Sequence, residues 1–414
     1  MHQPGYQRVE RCRVSDSRNL LTVLSLGEQA FTGIFPRTVD EEVPTGPLEL
    51  VWCPDSGLLQ LAHRFDDAVM YGENYGYRSG LNNSMVRHLQ RKAEFLTELA
   101  GLAPGDLVLD IGSNDGTLLG AYATPGLRKL GIDPTGAKFR EFYADGIALV
   151  PTFFSRAAFT GAVGDAPAKL ITSIAMFYDL QDPVGFARDV HACLADDGVW
   201  HFEQRYLASM LRANAYDTIC HEHATYYSLT VLQRILREAG LQIVDVRMNA
   251  VNGGSFAISA TKRAHPAAQV SPVVDWILAD ERRLGLHSPA VFRAFEERVF
   301  DHRQRLVDLV RSINAAGKTI LGYGASTKGN VLLQFCGFTA DDVKCIAEIN
   351  PDKFGRVTPG THIPIVSEDE ASAMRPDYYL VLPWHFRPGI VERSAAFFAQ
   401  GGRMIFPLPE IEIV

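Results

Sequence analysis

From residue 105 to about 260 the chain alternates short apolar runs with amphipathic stretches. The runs Leu107–Ile111, Lys129–Ile132, Leu170–Ile174, Gly198–Glu203, Gln242–Arg247 and Gly254–Ala260 predict strands, and the stretches between them have helical spacing. This alternation predicts a doubly wound α/β domain. A second such pattern follows, with strands at Thr319–Tyr323, Val343–Ile349, Tyr378–Leu382 and Arg403–Phe406. Between the two, Pro266 to Val310 is charged and amphipathic and predicts helix with a break near Pro289. Upstream, Met85, Leu89, Phe95, Leu96 and Leu99 place a helix over Ser84 to Leu99. The first 65 residues are rich in turn formers and predict small β elements. The expected organisation is a small β-rich domain over 1–70, an α/β domain over 71–265 and a second α/β domain over 266–414.

Composition narrows the function classes. The 414 residues are 47% hydrophobic and 21% charged, ordinary globular values, and the net charge is -8. Lys and Arg are scattered, which excludes a nucleic-acid binder that works through a basic patch. Apolar runs such as Tyr378 to Pro383 are far too short to span a bilayer. The start, M-H-Q-P-G-Y-Q-R, has no apolar signal-peptide region, and six cysteines in this length do not make a disulfide framework. The expectation is a cytoplasmic protein, monomer or small homo-oligomer, with neither nucleic acid nor membrane as partner.

Three segments carry chemistry. L-V-L-D-I-G-S-N-D-G-T-L-L, residues 107 to 119, reads as strand, glycine turn and helix start. Gly112 lets the backbone approach a ligand, and Asp133, ending the next strand, is placed to accept hydrogen bonds from ribose hydroxyls. The turn is not G-x-G-x-x-G; it resembles the first motif of S-adenosylmethionine-dependent methyltransferases. T-I-L-G-Y-G-A-S-T-K-G-N, residues 319 to 330, is a second such turn. There Ser326, Thr327 and Lys328 add hydroxyls and a positive charge where a helix N-terminus favours anions, so a diphosphate is the expected guest. Glu348, ending the following strand, could meet a ribose.

The third segment, D-T-I-C-H-E-H-A-T-Y-Y-S from Asp217 to Ser228, gathers Cys220, His221, Glu222, His223, Tyr226 and Tyr227 in twelve residues. Core packing gives no reason to collect so many proton carriers. The H-E-x-x-H metal pattern fails because Thr225 stands in the last place, and no third metal ligand is evident beside His221 and His223, so no metal is expected. General acid–base work fits better. A methyl donor needs a nucleophile. If that nucleophile is carbon, a base must remove a proton next to a carbonyl and donors must hold the enolate. Ser173 to Pro183, after another strand, offers Met176, Phe177, Tyr178 and Asp179 as pocket walls. An NAD-dependent oxidoreductase or epimerase acting on a nucleotide sugar is the alternative, and neither half has its glycine fingerprint.

Taken together, these segments, with Y-G-Y-R-S-G (residues 75 to 80), V-N-G-G-S-F (251 to 256) and the half-motifs at Cys12 and Cys53, resemble the sugar C-methyltransferases over almost the whole chain. The resemblance implies a small zinc-binding domain, a central Rossmann-like methyltransferase domain and a C-terminal Rossmann-like nucleotide-sugar domain. It also implies methylation at carbon 3 of an NDP-linked 4-keto-deoxysugar through an enolate, with S-adenosylhomocysteine as by-product. His223 is then the base, and Glu222, His221, Asp179 and a tyrosine of the Tyr75–Tyr77 loop stand around the sugar. Asp110, Gly112, Asn114, Gly116, Asp133, Phe154 and Met176 would hold S-adenosylmethionine. Cys220, Tyr323, Gly324, Ser326, Lys328, Asn330 and Glu348 would hold the substrate. Three positions depart from the family. Ser15 and Ser56 stand where zinc ligands are expected, which predicts a metal-free knob. Cys220 replaces a tyrosine and Asp179 a histidine, which predicts an altered sugar pocket.

Overall fold

Short strands broken by turns build the N-terminal part, as their composition predicts. In the computed structural model, which describes residues 5–66, 70, 78–265 and 269–414, β1 (Tyr6–Arg8) pairs with β5 (His63–Phe65), while β2 (Leu21–Ala30), β3 (Thr45–Trp52) and β4 (Leu59–Leu61) form an antiparallel meander.

The central sheet holds β6 (Leu107–Ile111), β7 (Arg128–Ile132), β8 (Ile147–Val150), β9 (Ala168–Ile174), β10 (Leu194–Arg205), β12 (Leu241–Asn249) and β13 (Ser255–Lys262), in the order β12-β13-β10-β9-β6-β7-β8. Strands β6 to β10 are parallel, and β13 runs antiparallel to both neighbours. All five residues of β6 are buried, as expected of a parallel strand covered on both faces. The chain order reverses between β6 and β9, which opens a crevice at their carboxyl ends. β11 (Thr225–Tyr226) leaves this layer and pairs with β4, Thr225 opposite Gln60 and Tyr226 opposite Leu59. The proton-carrier segment is thereby stitched to the N-terminal meander.

The helix Asn83–Ala100 is capped by the Asn82 side chain and stopped by left-handed Gly101. Its buried face is Leu89, Lys92, Ala93, Leu96 and Ala100. Leu89 and Leu96 of the predicted stripe are buried and Met85 and Phe95 pack against them, whereas Leu99 is 38% exposed and a lysine takes a core position. Lys92 can sit there because its ammonium reaches Glu203 on β10 at 2.9 Å. The expected break near Pro289 is a helix start, with Ser288 as cap and Pro289 in the first turn of Pro289–Ala315, after the helix Pro272–Leu284.

The C-terminal sheet has the order β16-β15-β14-β17-β18-β19. Its strands are β14 (Ile320–Tyr323), β15 (Ile346–Glu348), β16 (Ile365–Ser367), β17 (Tyr378–Val381), β18 (Arg403–Phe406) and β19 (Glu412–Ile413). All but β19 are parallel. Order reverses between β14 and β17, so a second crevice opens where Gly324 and Pro383 leave the sheet.

Candidate active site

The glycine loop after β6 is held in place by carboxylates. Asp133 Oδ2 accepts the Asn114 backbone N–H at 2.8 Å, while its Oδ1 accepts from Thr135 N–H and Oγ, both at 2.6 Å. Asn114 and Asp115 in turn accept the backbone N–H groups of Ser79 and Gly80 at 2.9 and 2.7 Å. Residues 79–81 therefore fold over the loop. Asp110 accepts from Thr172 Oγ1 at 2.6 Å, and burial pushes its carboxyl up to about 7 despite that bond. Gly112 has φ +73°, and a Cβ there would stand 3.1 Å from Met176 Cγ. The loop is thus a close-approach cradle with Met176 beside it, and Gly116, also at positive φ, leads into the helix Thr117–Ala121. These features fit S-adenosylmethionine. Phe154 instead packs its ring on Phe186 at 5.1 Å. Tyr75 and Tyr77 lie outside the described residues.

A turn closed by the His223 N–H donating to the Cys220 carbonyl at 3.1 Å sends the two histidines apart. His221, expected at the site, is directed into the N-terminal layer. Its ring lies between Phe31 and Phe65, at 4.5 and 4.7 Å, and its Nε2 bonds the Gly46 carbonyl at 3.1 Å. Burial lowers its pKa to about 4. That geometry makes His221 a packing residue, a correction to the expected catalytic role. Cys220, Glu222 and His223 converge instead, with potential ligand atoms all within 4.8 Å of one another. A three-donor group therefore exists, built without His221. Burial pushes the Cys220 thiol well up and the Glu222 carboxyl up to about 7. Glu222 lies against the N-terminal segment, for a Cβ on Gly33 would come 2.5 Å from its Oε1.

His223 donates from Nδ1 to the Thr218 carbonyl at 2.7 Å. That bond fixes the tautomer and leaves Nε2 with its lone pair. The ring stands edge-on to Tyr178 at 4.6 Å, in a pocket that Arg205, Met210, Thr225 and Tyr226 also line. Burial first, then the charges of Arg205 and Lys328, lower its pKa to about 3 against the Thr218 bond. Asp179 follows Tyr178 in the short turn Phe177–Asp179, and its charge bears on Cys220 and Tyr226.

The C-terminal crevice faces the same pocket. Lys328 donates to the Asn252 carbonyl at 3.0 Å, which brings the V-N-G-G-S-F segment in. Burial and the charge of Arg205 push Lys328 well down. His385 is lowered by burial and then by Lys328 and Arg205. Trp384 Nε1 donates to buried Asp217 at 2.7 Å. Ser326 caps the helix Thr327–Cys336. Glu348 accepts the backbone N–H groups of Ala325, Ile349 and Asn350 at 2.8 to 2.9 Å, so it holds the Gly324 turn in shape. Tyr323 is buried, its hydroxyl accepting from Arg393 at 3.1 Å. Asn330, expected at the substrate, is fully buried and donates to the Thr32 carbonyl at 2.8 Å. It ties the crevice to the N-terminal layer, a second correction. Sequence reasoning missed Arg205, which lines the pocket with His223, and His385, on which Arg205 and Lys328 bear. The legible signal was a charged residue at the carboxyl end of an apolar strand.

At the N-terminal knob, Cys12 Sγ lies 3.1 Å from Ser56 Oγ, and Ser15 Oγ lies 3.6 Å from Cys53 Sγ. The four corners of a zinc site are there, closed by hydroxyl–thiol hydrogen bonds. Structural zinc takes four thiolate or imidazole ligands, and two thiols with two hydroxyls do not fit it.

A glycine cradle and an acid after the second strand, at the carboxyl ends of one doubly wound sheet, define an S-adenosylmethionine-dependent methyltransferase. Residues 85–246 match the family described as a methyltransferase domain, 250–409 a C-methyltransferase C-terminal domain, and 12–71 a zinc binding domain. The C-methyltransferase NovU of Streptomyces niveus is 34% identical over 98% of this chain and 97% of its own. The chain belongs to the C-methyltransferases, the family its motifs resemble, and its methyl donor is S-adenosylmethionine. Among solved structures, the mitomycin 7-O-methyltransferase MmcR overlaps 44% of this chain and 55% of its own, at 18% identity and a TM-score of 0.36. An N1-methyltransferase of Burkholderia thailandensis, holding 1,6-didemethyltoxoflavin and S-adenosylhomocysteine, overlaps 44% and 82%, at 18% and 0.34. The family assignment rests on the relative that spans the chain. Among the described residues no helix is long and apolar enough to cross a membrane.

Proposed function

We propose that this enzyme methylates carbon 3 of a nucleotide-linked 4-keto-6-deoxysugar in the cytoplasm, with His223 as the base. The observation that carries the reading is the tautomer of His223. Its Nδ1–H is committed to Thr218, so Nε2 keeps its lone pair on a ring that lines the pocket. The 4-ketone acidifies the neighbouring C–H. His223 Nε2 takes that proton, the C–H pair becomes a carbon–carbon double bond, and the carbonyl π pair moves to oxygen. S-adenosylmethionine, when bound, supplies an electrophilic methyl on a sulfonium, which accepts the carbon's electron pair and leaves S-adenosylhomocysteine. Gly112 and Met176 hold it on one side. The Gly324–Lys328 turn, at a helix N-terminus, suits the sugar's diphosphate. The division into units at residues 70 and 265 belongs to the same proposal.

Glu222 is the second candidate base, favoured by a carboxyl at about 7, close to a working pH. His223→Asn decides between them. With His223 as base, the variant binds S-adenosylmethionine normally and loses both methyl transfer and the exchange of the sugar's carbon-bound hydrogen with D2O. Retention of a tenth or more of the wild-type exchange rate would move the role to Glu222.

A further inference from the structure

A base whose pKa is lowered to about 3 by its surroundings is poorly suited to removing a proton from carbon. Arg205 is the largest charged contributor to that lowering. It stands at the carboxyl end of β10 and lines the same pocket as His223. Its Nε is buried without a hydrogen-bond partner among the described residues. Buried guanidinium groups are normally paired, because an unpaired one loses hydration for nothing. Lys328 adds to the positive field on this side of the pocket, and that field bears on His385 as well. A fold that sets positive charge beside its base is set up for an anion that arrives with the reaction.

We propose that Arg205 is a catalytic residue that binds the substrate's keto oxygen and stabilises the enolate. This rests on the C-methylation reading above. The keto oxygen sits on the carbon next to the one losing its proton, so a base and an oxyanion donor must line one small pocket, as His223 and Arg205 do. The negative charge formed on oxygen offsets the field that weakens His223, and the two effects rise together along the reaction coordinate. The diphosphate is a different guest, several bonds away at the anomeric carbon, and belongs to the Gly324–Lys328 turn.

The test uses the full chain with S-adenosylhomocysteine bound, in D2O, with dTDP-4-keto-6-deoxyglucose and its GDP-linked counterpart. NMR follows deuterium entering the carbons beside the ketone, and calorimetry gives the affinity for dTDP and GDP alone. Arg205→Met should slow exchange on the order of 10²–10³-fold, the usual effect of deleting one oxyanion donor. Nucleotide affinity should stay within twofold, and Arg205→Lys should restore at least tenfold of the lost rate. Exchange by Arg205→Met within fivefold of wild type overturns the proposal, as does a drop in nucleotide affinity that accounts for the whole loss. If Arg205→Met fails to fold, Arg205→Lys alone must still show a loss in exchange with nucleotide affinity unchanged. Wild type that exchanges neither sugar overturns C-methylation itself, and this proposal with it.

Discussion

Glu203 is the buried charge on which the carboxyl end of β10 depends. Its side chain is 3% exposed. It accepts from His88 Nε2 at 2.8 Å, Lys92 Nζ at 2.9 Å and Asn249 Nδ2 at 2.8 Å. Burial alone would raise its pKa, but the bond from His88 and the charge of Lys92 outweigh it and bring the carboxyl to about 2. Against an unfolded value near 4.3, that is roughly two units, or about 3 kcal/mol of stability. The folded pKa is depressed, so this contribution is fully present above the unfolded value and lost as pH falls from about 4.3 towards 2. Glu203→Gln removes it and leaves the Lys92 ammonium, 6% exposed, buried with no counter-charge. Breaking such a pair costs about 3–5 kcal/mol. Urea unfolding followed by circular dichroism should therefore show a loss of that size at pH 7, shrinking as the wild-type carboxylate protonates in acid. A difference below about 1 kcal/mol at pH 7, or one that stays constant from pH 6 to pH 3, would refute the reasoning. Arg205 follows two residues later on the same strand, so the variant should also slow turnover by disturbing the pocket.

Glu222 predicts a pH effect. Its carboxyl, raised to about 7, ionises as pH rises through neutrality, and its negative charge then offsets the positive field on neighbouring His223, so kcat/KM should climb between pH 6 and 8 and flatten above; Glu222→Gln should remove that limb. Gly112→Ala puts a side chain at φ +73° and against Met176. The left-handed backbone costs about 1–2 kcal/mol, so affinity for S-adenosylmethionine should fall roughly tenfold by calorimetry, with nucleotide affinity untouched. Glu281 takes the N–H groups of Leu229 and Thr230 at 2.5 and 2.9 Å and the Thr230 hydroxyl at 2.6 Å, and so caps the helix that follows the proton-carrier segment. Glu281→Gln should lower the urea stability by about 2 kcal/mol.

Both parallel sheets were legible because strands buried on two faces read as unbroken apolar runs. The strands missed were β8, β16 and β19. They are short, lie at or near sheet edges and bury few residues, so they leave little pattern. Lys92 escaped because a lysine in the core becomes readable only with its partner Glu203, 111 residues away in number. The proton-carrier segment was found from its residue types, yet the sequence could not say which histidine faced the pocket. An extended chain sends positions two apart to one side. The turn at Cys220–His223 breaks that rule and parts His221 from His223. Asn330 and Glu348 were read as ligand groups from their place after a glycine turn. Their side chains are committed to backbone partners that no local pattern reveals.

The central claim is that a proton leaves carbon and a methyl group arrives there. It is tested most directly by 13C NMR of the product formed from 13C-methyl S-adenosylmethionine and dTDP- or GDP-4-keto-6-deoxyglucose. The account predicts a labelled methyl coupled to a ring carbon beside the ketone, formed by wild type and not by His223→Asn. A label on oxygen, or transfer undiminished in His223→Asn, would contradict it.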